Sequence, residues 1–304
     1  MFCSCGQTKV NLLSETDADK KAIEDLNRQA KSLSGPLATL TRARRDQLKA
    51  EVKAEQVFAK ALTNSASNLT KTIEAAINTA RVQSILGYTD EQLMEFILQG
   101  GLGLAVDEFI EQTDLIRQSV QKGILAIKQD VNFSQIASDL EAIQAITAKT
   151  VFEDVILPPV KKSITESLRD GLLEVPTDII VSNLQTRLES SIGRQLTEIK
   201  TQISSYGRSI TAFVAESAGL DLYLYTGPKD GITRPFCNEL INLVVTKEQM
   251  NKLNNGQGLG VLAYGGGYNC RHSWSPVTEG FVEAAGLTLA TNADIKEAND
   301  KAKR

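Results

Sequence analysis

Apolar residues recur at helical spacing through most of the first 218 residues. Residues 15–33 follow this pattern up to a break at Ser34-Gly35-Pro36, and a longer run covers residues 37–86. Spacings of three and four residues put the apolar side chains of this run on one narrow stripe, which predicts a long, coiled-coil-like amphipathic helix. The stripe is formed by Leu48, Val52, Phe58, Leu62, Leu69, Ile73 and Ile77, and the opposite face carries Arg44, Arg45, Lys49, Lys53 and Glu55.

Turn and cap signals divide the following residues into further helices. Thr89-Asp90-Glu91-Gln92 has the capping-box pattern that opens a helix, and Gly100-Gly101-Leu102-Gly103 ends it as a tight turn or hinge. Helical patterns resume over residues 104–130, 134–156 and 161–173, and Pro158-Pro159 is expected to stop the second. A last long amphipathic helix is predicted over 177–218, with apolar residues at Ile179, Ile180, Leu184, Leu188, Ile192, Leu196, Ile199 and Ile203.

The composition changes at Gly219. Residues 220–278 are rich in Gly, Asn, Tyr and Pro and contain two short β-like pieces, Leu222–Tyr225 and Leu243–Val245. The predicted organisation is an N-terminal arm (1–14), a helical body (15–218), a module (219–280) and a C-terminal helix or tail (281–304). The expected fold class is mainly α: an elongated helical body with long amphipathic helices, followed by a small α+β, loop-rich module.

Charge and hydropathy narrow the function classes. The net charge of −4 argues against a general nucleic-acid coat, because phosphate binding needs clustered Lys and Arg. Local DNA contact stays open through the face that carries Arg42, Arg44, Arg45, Lys49 and Lys53. We find no apolar run long enough for a transmembrane helix, and the N-terminus lacks the basic start and apolar stretch of a secretory signal. The chain is therefore expected to be made in a cytoplasm and to have no membrane partner.

Three rare residues lie close together in the module. Cys237, Cys270 and the only histidine, His272, supply three soft ligands of the kind that zinc prefers. A structural zinc site needs four ligands, and the spacing selects none of the candidates for the fourth: Asp230, Glu239, Cys3 or Cys5. Two alternatives stand beside zinc: a Cys237–Cys270 disulfide formed in an oxidising medium, and two buried thiols with a hydrogen-bonded histidine.

No complete catalytic set is found. A Cys270–His272 nucleophile would need a third group that orients the imidazole, and the sequence marks neither that group nor an oxyanion site. A nuclease would use His272 with Arg234 or Arg271 and an acid such as Asp230, but the chain has one histidine and no repeated acidic pair. The protein is therefore not expected to be an enzyme, although an enzymatic module remains an alternative.

The two arginines of the module have a structural explanation as well. Arg234 precedes a proline and should be extended, and Arg271 lies between the second cysteine and the histidine. Each is expected to hold the loops by pairing with Asp230 or Glu239 and with loop carbonyl groups. Trp274 is expected in the core of the module.

The same segment resembles the conserved C-terminal motifs of phage minor head proteins, the Mu F-like and SPP1 gp7-like head morphogenesis family. The resemblance covers roughly residues 205–278, and order, spacing and rare residue types agree together. The matching residues are Tyr225, Gly227-Pro228-Lys229-Asp230, Thr233-Arg234-Pro235-Phe236-Cys237, Gly265-Gly266-Gly267, Asn269-Cys270-Arg271-His272, Trp274, Pro276 and Val277.

The chain departs from the family pattern at three positions. Arg234 and Gly267 stand where many relatives have a second cysteine and a histidine, and His272 stands where others have a cysteine. The resemblance therefore does not carry over the four-ligand zinc site of the richer relatives.

The resemblance implies a structural role in a virion. Members of the family associate with the portal protein or the major capsid protein inside the phage head, and assist head morphogenesis, DNA packaging or the start of ejection. A homo-oligomer or ring assembly follows as an expectation. The alternatives are an enzymatic C-terminal module, either a nuclease or a toxin-like domain, and an internal DNA-facing protein that is ejected with the genome.

Overall fold

The computed structural model describes residues 16–79, 82–173 and 175–303, and its helices confirm the mainly α fold with a small C-terminal α+β module. The helices of the body are α1 (Asp17–Ser32), α2 (Gly35–Asn78), α3 (Val82–Leu86), α4 (Asp90–Ile97), α5 (Gly103–Leu125), α6 (Ala137–Lys149), α7 (Leu157–Leu172) and α8 (Thr177–Ser217). Within the described ranges, no helix combines the length and apolarity that a membrane crossing requires.

Helix α2 is the centre of the body. It packs against α1, α5 and α8, so its buried surface is broader than the stripe read from the sequence. Three rings fix the middle of this core: Phe58 of α2 lies edge-on to Phe109 of α5 and to Phe152, with ring centroids 5.0 and 5.6 Å away. The charged face read from the sequence is partly covered, because Arg44 is buried and Glu55 lies against Lys200 of α8.

Two predicted interruptions have different structures. The glycine run forms a π-helical turn, Leu98–Leu102, that kinks at Gly101 and presses on α2, where the Ser65 hydroxyl donates to the Gly101 carbonyl at 2.9 Å. The prediction that Pro158-Pro159 ends a helix was wrong. A second π-helical segment, Thr150–Ile156, joins α6 directly to α7, which contains both prolines. Both prolines lie in the first turn of α7, where the backbone N–H is not needed. The capping box at Thr89 is confirmed.

The module is a four-stranded sheet with short helices. Its elements are β1 (Leu222–Thr226), α9 (Pro235–Leu240), β2 (Leu243–Thr246), α10 (Lys247–Met250), α11 (Val261–Tyr264), β3 (Ser273–Val277), α12 (Glu279–Ala284), β4 (Thr288–Leu289) and α13 (Asn292–Lys301). The strand order is β3-β1-β2-β4, with β1 antiparallel to β2 and β3, and β4 parallel to β2.

The two strands predicted from the sequence are confirmed, whereas the single terminal helix over 281–303 is wrong. The chain there forms α12, β4 and α13, and Ile295 and Ala298 of α13 belong to the core of the module. Residues 279–301 therefore complete the sheet and its core.

Both faces of the sheet are buried, so the module is packed directly on the body. Tyr225 and Trp274 point into the core of the module, whereas Leu224 and Val244 point the other way and pack with Leu40 of α2. Because neighbouring residues of a strand alternate between faces, a strand that reads as continuously apolar is explained by this double burial.

Lys200 of α8 joins two carboxylates in the interior of the body. Its Nζ lies 3.0 Å from an Asp19 carboxylate oxygen and 2.9 Å from a Glu55 carboxylate oxygen. Burial raises the pKa of Glu55 from 4.5 to about 8; Lys200 opposes this shift, and the neighbouring Asp19 and Glu51 carboxylates add to it. The single positive charge of Lys200 therefore cannot neutralise all of the neighbouring carboxylates.

This arrangement predicts a pH-dependent stability. The folded state holds a proton on Glu55 more tightly than the unfolded state, so this contribution is full below the unfolded pKa and is lost as the pH rises through about 8. We expect the urea midpoint of the wild type to fall between about pH 5 and pH 8, and Glu55→Gln to flatten that fall. Glu24→Gln, at an exposed position of α1, is the control, and equal pH profiles for all three proteins would refute the assignment.

Candidate metal centre

The fold brings the three soft residues together. Cys237 lies in α9, and Cys270 and His272 lie in the loop that leads into β3. The two sulfur atoms are 3.9 Å apart, and Cys270 Sγ lies 3.7 Å from His272 Nδ1. All three side chains are buried, and their ligand atoms lie within 4.8 Å of one another.

Tyr225 adds a fourth polar group to the cluster of two cysteines and one histidine. The sequence identified it as a motif residue but not as part of this cluster. Its hydroxyl oxygen lies 3.4 Å from Cys237 Sγ and 3.6 Å from Cys270 Sγ. Its ring stacks on the His272 imidazole and lies 4.3 Å from the Trp274 ring centre. The signal for this role is the alternation of β1, which turns Tyr225 to the same face as Trp274 on the neighbouring strand.

The hydrogen bonds of the cluster distinguish its two sulfur atoms. Cys270 Sγ accepts the backbone N–H of Gly266 at 3.1 Å and lies next to the thiol of Cys237. The Cys237 hydrogen bond lowers the pKa of Cys270 well below its usual value despite burial, and His272 and Arg208 lower it further. The same contact with Cys270, together with burial, raises the pKa of Cys237. These opposite pKa shifts favour the shared proton on Cys237 over Cys270.

The orientation of His272 is set by a carbonyl group. His272 Nε2 lies 2.8 Å from the Pro228 carbonyl oxygen, which can only accept, so Nε2 carries a proton and Nδ1 faces Cys270. This is the usual orientation of a metal-binding histidine, whose second nitrogen donates to a carbonyl or carboxylate. The Gly227 backbone lies flat against the ring: an added Cβ would meet His272 Cδ2 at 2.4 Å.

Two of the three separations between the ligand atoms fit a zinc ion. Tetrahedral zinc with bonds of about 2.3 Å to sulfur and 2.05 Å to nitrogen places two sulfurs about 3.8 Å apart, and sulfur and nitrogen about 3.5 Å apart. The separations of 3.9 and 3.7 Å agree to within a few tenths of an ångström. Cys237, Cys270 and His272 would hold the ion, and the Tyr225 hydroxyl lies near both sulfur atoms. A bound zinc would link α9 to the loop before β3 and serve structure, because the site is closed to solvent.

The other candidates for a fourth ligand are used elsewhere or lie outside the described residues. Asp230 is paired with Arg271, and Glu239 lies 3.8 Å from Lys301. Cys3 and Cys5 belong to the residues that the structure does not describe. Among the alternatives to zinc, the structure has a reduced pair, because both cysteines are free and their sulfurs are far beyond the disulfide bond length of about 2.05 Å.

We expect the purified protein to contain about one zinc ion per chain, because three preoriented soft ligands meet in a closed site. Cys270→Ser and His272→Ala should reduce this content to near zero, and a chelator should lower the urea midpoint of the wild type. Elemental analysis after dialysis gives the content, and the Cys3→Ser, Cys5→Ser double variant is the control. A metal-free wild type with an unchanged midpoint in chelator would leave the cluster as hydrogen-bonded thiols.

The arginines of the module hold loops, as the sequence predicted. Arg271 forms two hydrogen bonds with the Asp230 carboxylate, of 2.6 and 2.8 Å, and donates to the Ala18 carbonyl at 3.0 Å. The Arg271 hydrogen bonds lower the pKa of Asp230 to about 2. Arg234 donates to the carbonyl oxygens of Gly266 and Tyr268, which fixes the glycine-rich loop.

The remaining motif residues also have structural contacts. The Thr233 hydroxyl donates to the Pro228 carbonyl and accepts the Asp230 N–H. Pro235 begins α9. Asn269 takes a left-handed backbone conformation (φ 54°), which asparagine tolerates well, and its N–H donates to the Thr201 hydroxyl of α8.

Two buried arginines of the body complete the site, and sequence reasoning missed both. Arg208 of α8 donates to the carbonyl oxygens of His272 (2.9 Å), Ala263 (3.1 Å) and Cys270. Arg44 of α2 donates to the Arg271 carbonyl at 2.7 Å and pairs with Glu51 at 3.1 Å. The expectation that Arg44 lies opposite the buried stripe, open to DNA contact, was wrong, because the module covers this part of α2 and Arg44 is buried.

The residues of both candidate catalytic arrangements lie close together. Cys270 and His272 are adjacent and the Pro228 carbonyl orients the imidazole, as in a nucleophilic pair, but both side chains are buried away from solvent. The Asp230 and Arg271 of a nuclease are brought together, but they neutralise each other. Two open grooves of the described chain lie elsewhere, at residues 250–262 and around Tyr88 and Phe96.

Comparisons of the chain with protein-family models, with curated proteins and with solved structures found no match. The resemblance to phage minor head proteins therefore rests on the motif residues alone.

Proposed function

We propose that this protein is a structural component of a tailed-phage head: a minor head protein that associates with the portal protein or the inner capsid. In this proposal it is made in the host cytoplasm, enters the virion, and assists head assembly, DNA packaging or ejection. The proposal is supported by the C-terminal motif and by the contacts that the motif residues make in the structure.

One observation carries the proposal: the polar motif residues are used inside the protein. Arg271 and Asp230 bind each other, Arg234 binds loop carbonyls, and His272 is bonded to Pro228. Because these polar side chains form their hydrogen bonds with other groups of the protein, they are not available to bind a substrate. The motif is thus explained as a device that fixes the module, which suits a structural protein better than an enzyme.

The second support is the way in which the module is attached. Arg208 of α8 and Arg44 of α2 donate to backbone carbonyl groups of the loop that precedes β3. The module is therefore attached directly to the two longest helices of the body, which have 41 and 44 residues. Long helices present extended surfaces to partner helices, and a rigidly attached module would keep a constant orientation in a ring.

The test is co-purification with the head. The tagged full-length chain should be captured together with the portal or major capsid protein when it is co-expressed with them, and mass spectrometry should find it in gradient-purified proheads or virions. The Tyr225→Phe variant keeps the ring and is expected to be incorporated like the wild type. Absence from immature and mature heads, with no capture of portal or capsid protein, would reject the proposal.

A further inference from the structure

Helix α2 carries a straight row of cations on its solvent face. Arg42, Lys49, Lys53, Lys60 and Lys71 are all exposed, and their spacings are close to whole numbers of helical turns. At 1.5 Å per residue the row extends over about 43 Å. These five residues are called the basic stripe.

The charges of the basic stripe are not neutralised by the protein. None of the five forms an ion pair with any residue in the described ranges. The exposed acid between them, Asp46, is paired with Arg45 at 2.7 Å. Arg45 also donates to Asn27 of α1, which places that edge of α1 beside the stripe.

The edge of α1 beside the stripe adds two more free cations. Lys20 and Lys31 flank Asn27 on the exposed side of this helix, and neither has an ion-pair partner in the part of the chain that the structure describes. The exposed Glu24 lies between Lys20 and Lys31 on the same face, so α1 adds only a small excess of positive charge to this side of the chain, whose net charge is −4.

We propose that the basic stripe binds the phosphate backbone of nucleic acid without regard to sequence. The other exposed positions along the row are Asp46, Asn64 and Asn68, so no large apolar side chain accompanies the cations. Protein interfaces are depleted in lysine and need an apolar core, and a membrane-surface helix sets Trp, Phe or Leu beside its lysines. Regular lysines without apolar neighbours match a phosphate polymer, which they bind by releasing its counterions.

Nucleic-acid binding by the basic stripe is a property separate from the proposed role in head assembly, and it does not depend on that role. The acidic remainder of the chain repels phosphate, so contact is confined to the α1–α2 side of the body. The predicted residues differ from those read in the sequence: Arg44 is buried against the module and Arg45 is paired, whereas Lys60 and Lys71 join Lys49 and Lys53.

The test is the salt dependence of binding to duplex DNA of mixed sequence, measured by fluorescence anisotropy with the full chain. With five phosphate contacts, the slope of log affinity against log salt is expected to be about −4.5. The variant Lys49→Gln, Lys53→Gln, Lys60→Gln should lose at least about tenfold in affinity at 50 mM salt and retain a slope of about −2. Glutamine keeps the helix propensity, so α2 should stay folded.

The matched control is Lys149→Gln, Lys162→Gln, Lys296→Gln, which removes the same charge from exposed positions of α6, α7 and α13. This control should bind DNA almost as the wild type does. No binding at low salt, or equal losses in both triple variants, would overturn the proposal. So would a stripe variant that keeps DNA binding but loses capture of portal or capsid protein, because the stripe would then serve an acidic protein.

Discussion

Replacing Arg208 with methionine is expected to lower the free energy of unfolding by about 4 kcal/mol, because hydrogen bonds from a charged donor to buried carbonyl groups contribute most when they are lost. Arg208 is 2% exposed, and its guanidinium donates to the backbone carbonyl groups of Cys270, His272 and Ala263. Methionine fills similar space but leaves these carbonyl groups without a donor in a place that water does not reach. The loss should therefore fall on the contact between the module and α8.

Urea unfolding measures the total effect, and a thiol reagent locates it. In the wild type Cys237 and Cys270 are buried and should react slowly; in Arg208→Met they should react at a rate set by opening of the module. Arg194→Met is the control, because Arg194 lies on the same helix and, among the residues that the structure describes, its side chain bonds only to Ser190 and Ser191. A loss of stability shared by both variants, or protected thiols in Arg208→Met, would contradict this account of Arg208.

The second large effect is expected from one methyl group at Gly227. The added Cβ of Gly227→Ala would lie 2.4 Å from Cδ2 of His272 and 2.9 Å from its Cα, so the clash involves backbone as well as ring. Overpacking of a rigid interior costs about 3 kcal/mol in such cases. The shift would also weaken the 2.8 Å bond from His272 to Pro228 and turn Nδ1 away from Cys270. We therefore expect both a lower unfolding free energy and weaker zinc binding.

The same loop offers a matched substitution. Gly231→Ala places a methyl group where no atom lies within 4 Å, so it should change the urea midpoint little. Parallel urea titrations and zinc titrations of the two variants separate close packing from the general flexibility of glycine. If the two substitutions had equal effects, the close approach of Gly227 to His272 would not be the reason for glycine in this motif.

Several parts of the fold followed from local chemistry. The long helices were predictable because their apolar residues repeat at helical spacing, and the helix at Thr89 because its cap is formed by residues three apart. The strands β1 and β2 were recognised from short apolar runs, but β3 and β4 were not. Ser273–Val277 contains a proline and two serines, and it becomes a strand because β1 offers it a partner.

The candidate site was predictable in its residue types but not in its connections. Cys237, Cys270 and His272 are rare residues in one segment, and their meeting was expected. The fourth polar group, Tyr225, and the two arginines of the body come from other elements. No spacing along the chain relates Arg208 to His272, because their contact is made only when α8 packs under the motif loop.

The sequence by itself determined the helical class, the place where the helical body gives way to the module, and the soft ligands that the module contains. These properties depend on periodicity and residue type, which are local. Only the tertiary structure decided that Arg44 is buried while Lys60 and Lys71 are exposed, and that Asp230 pairs with Arg271. The burial and partners of a charged side chain depend on what the rest of the chain places beside it, and that contact is set by packing between distant segments.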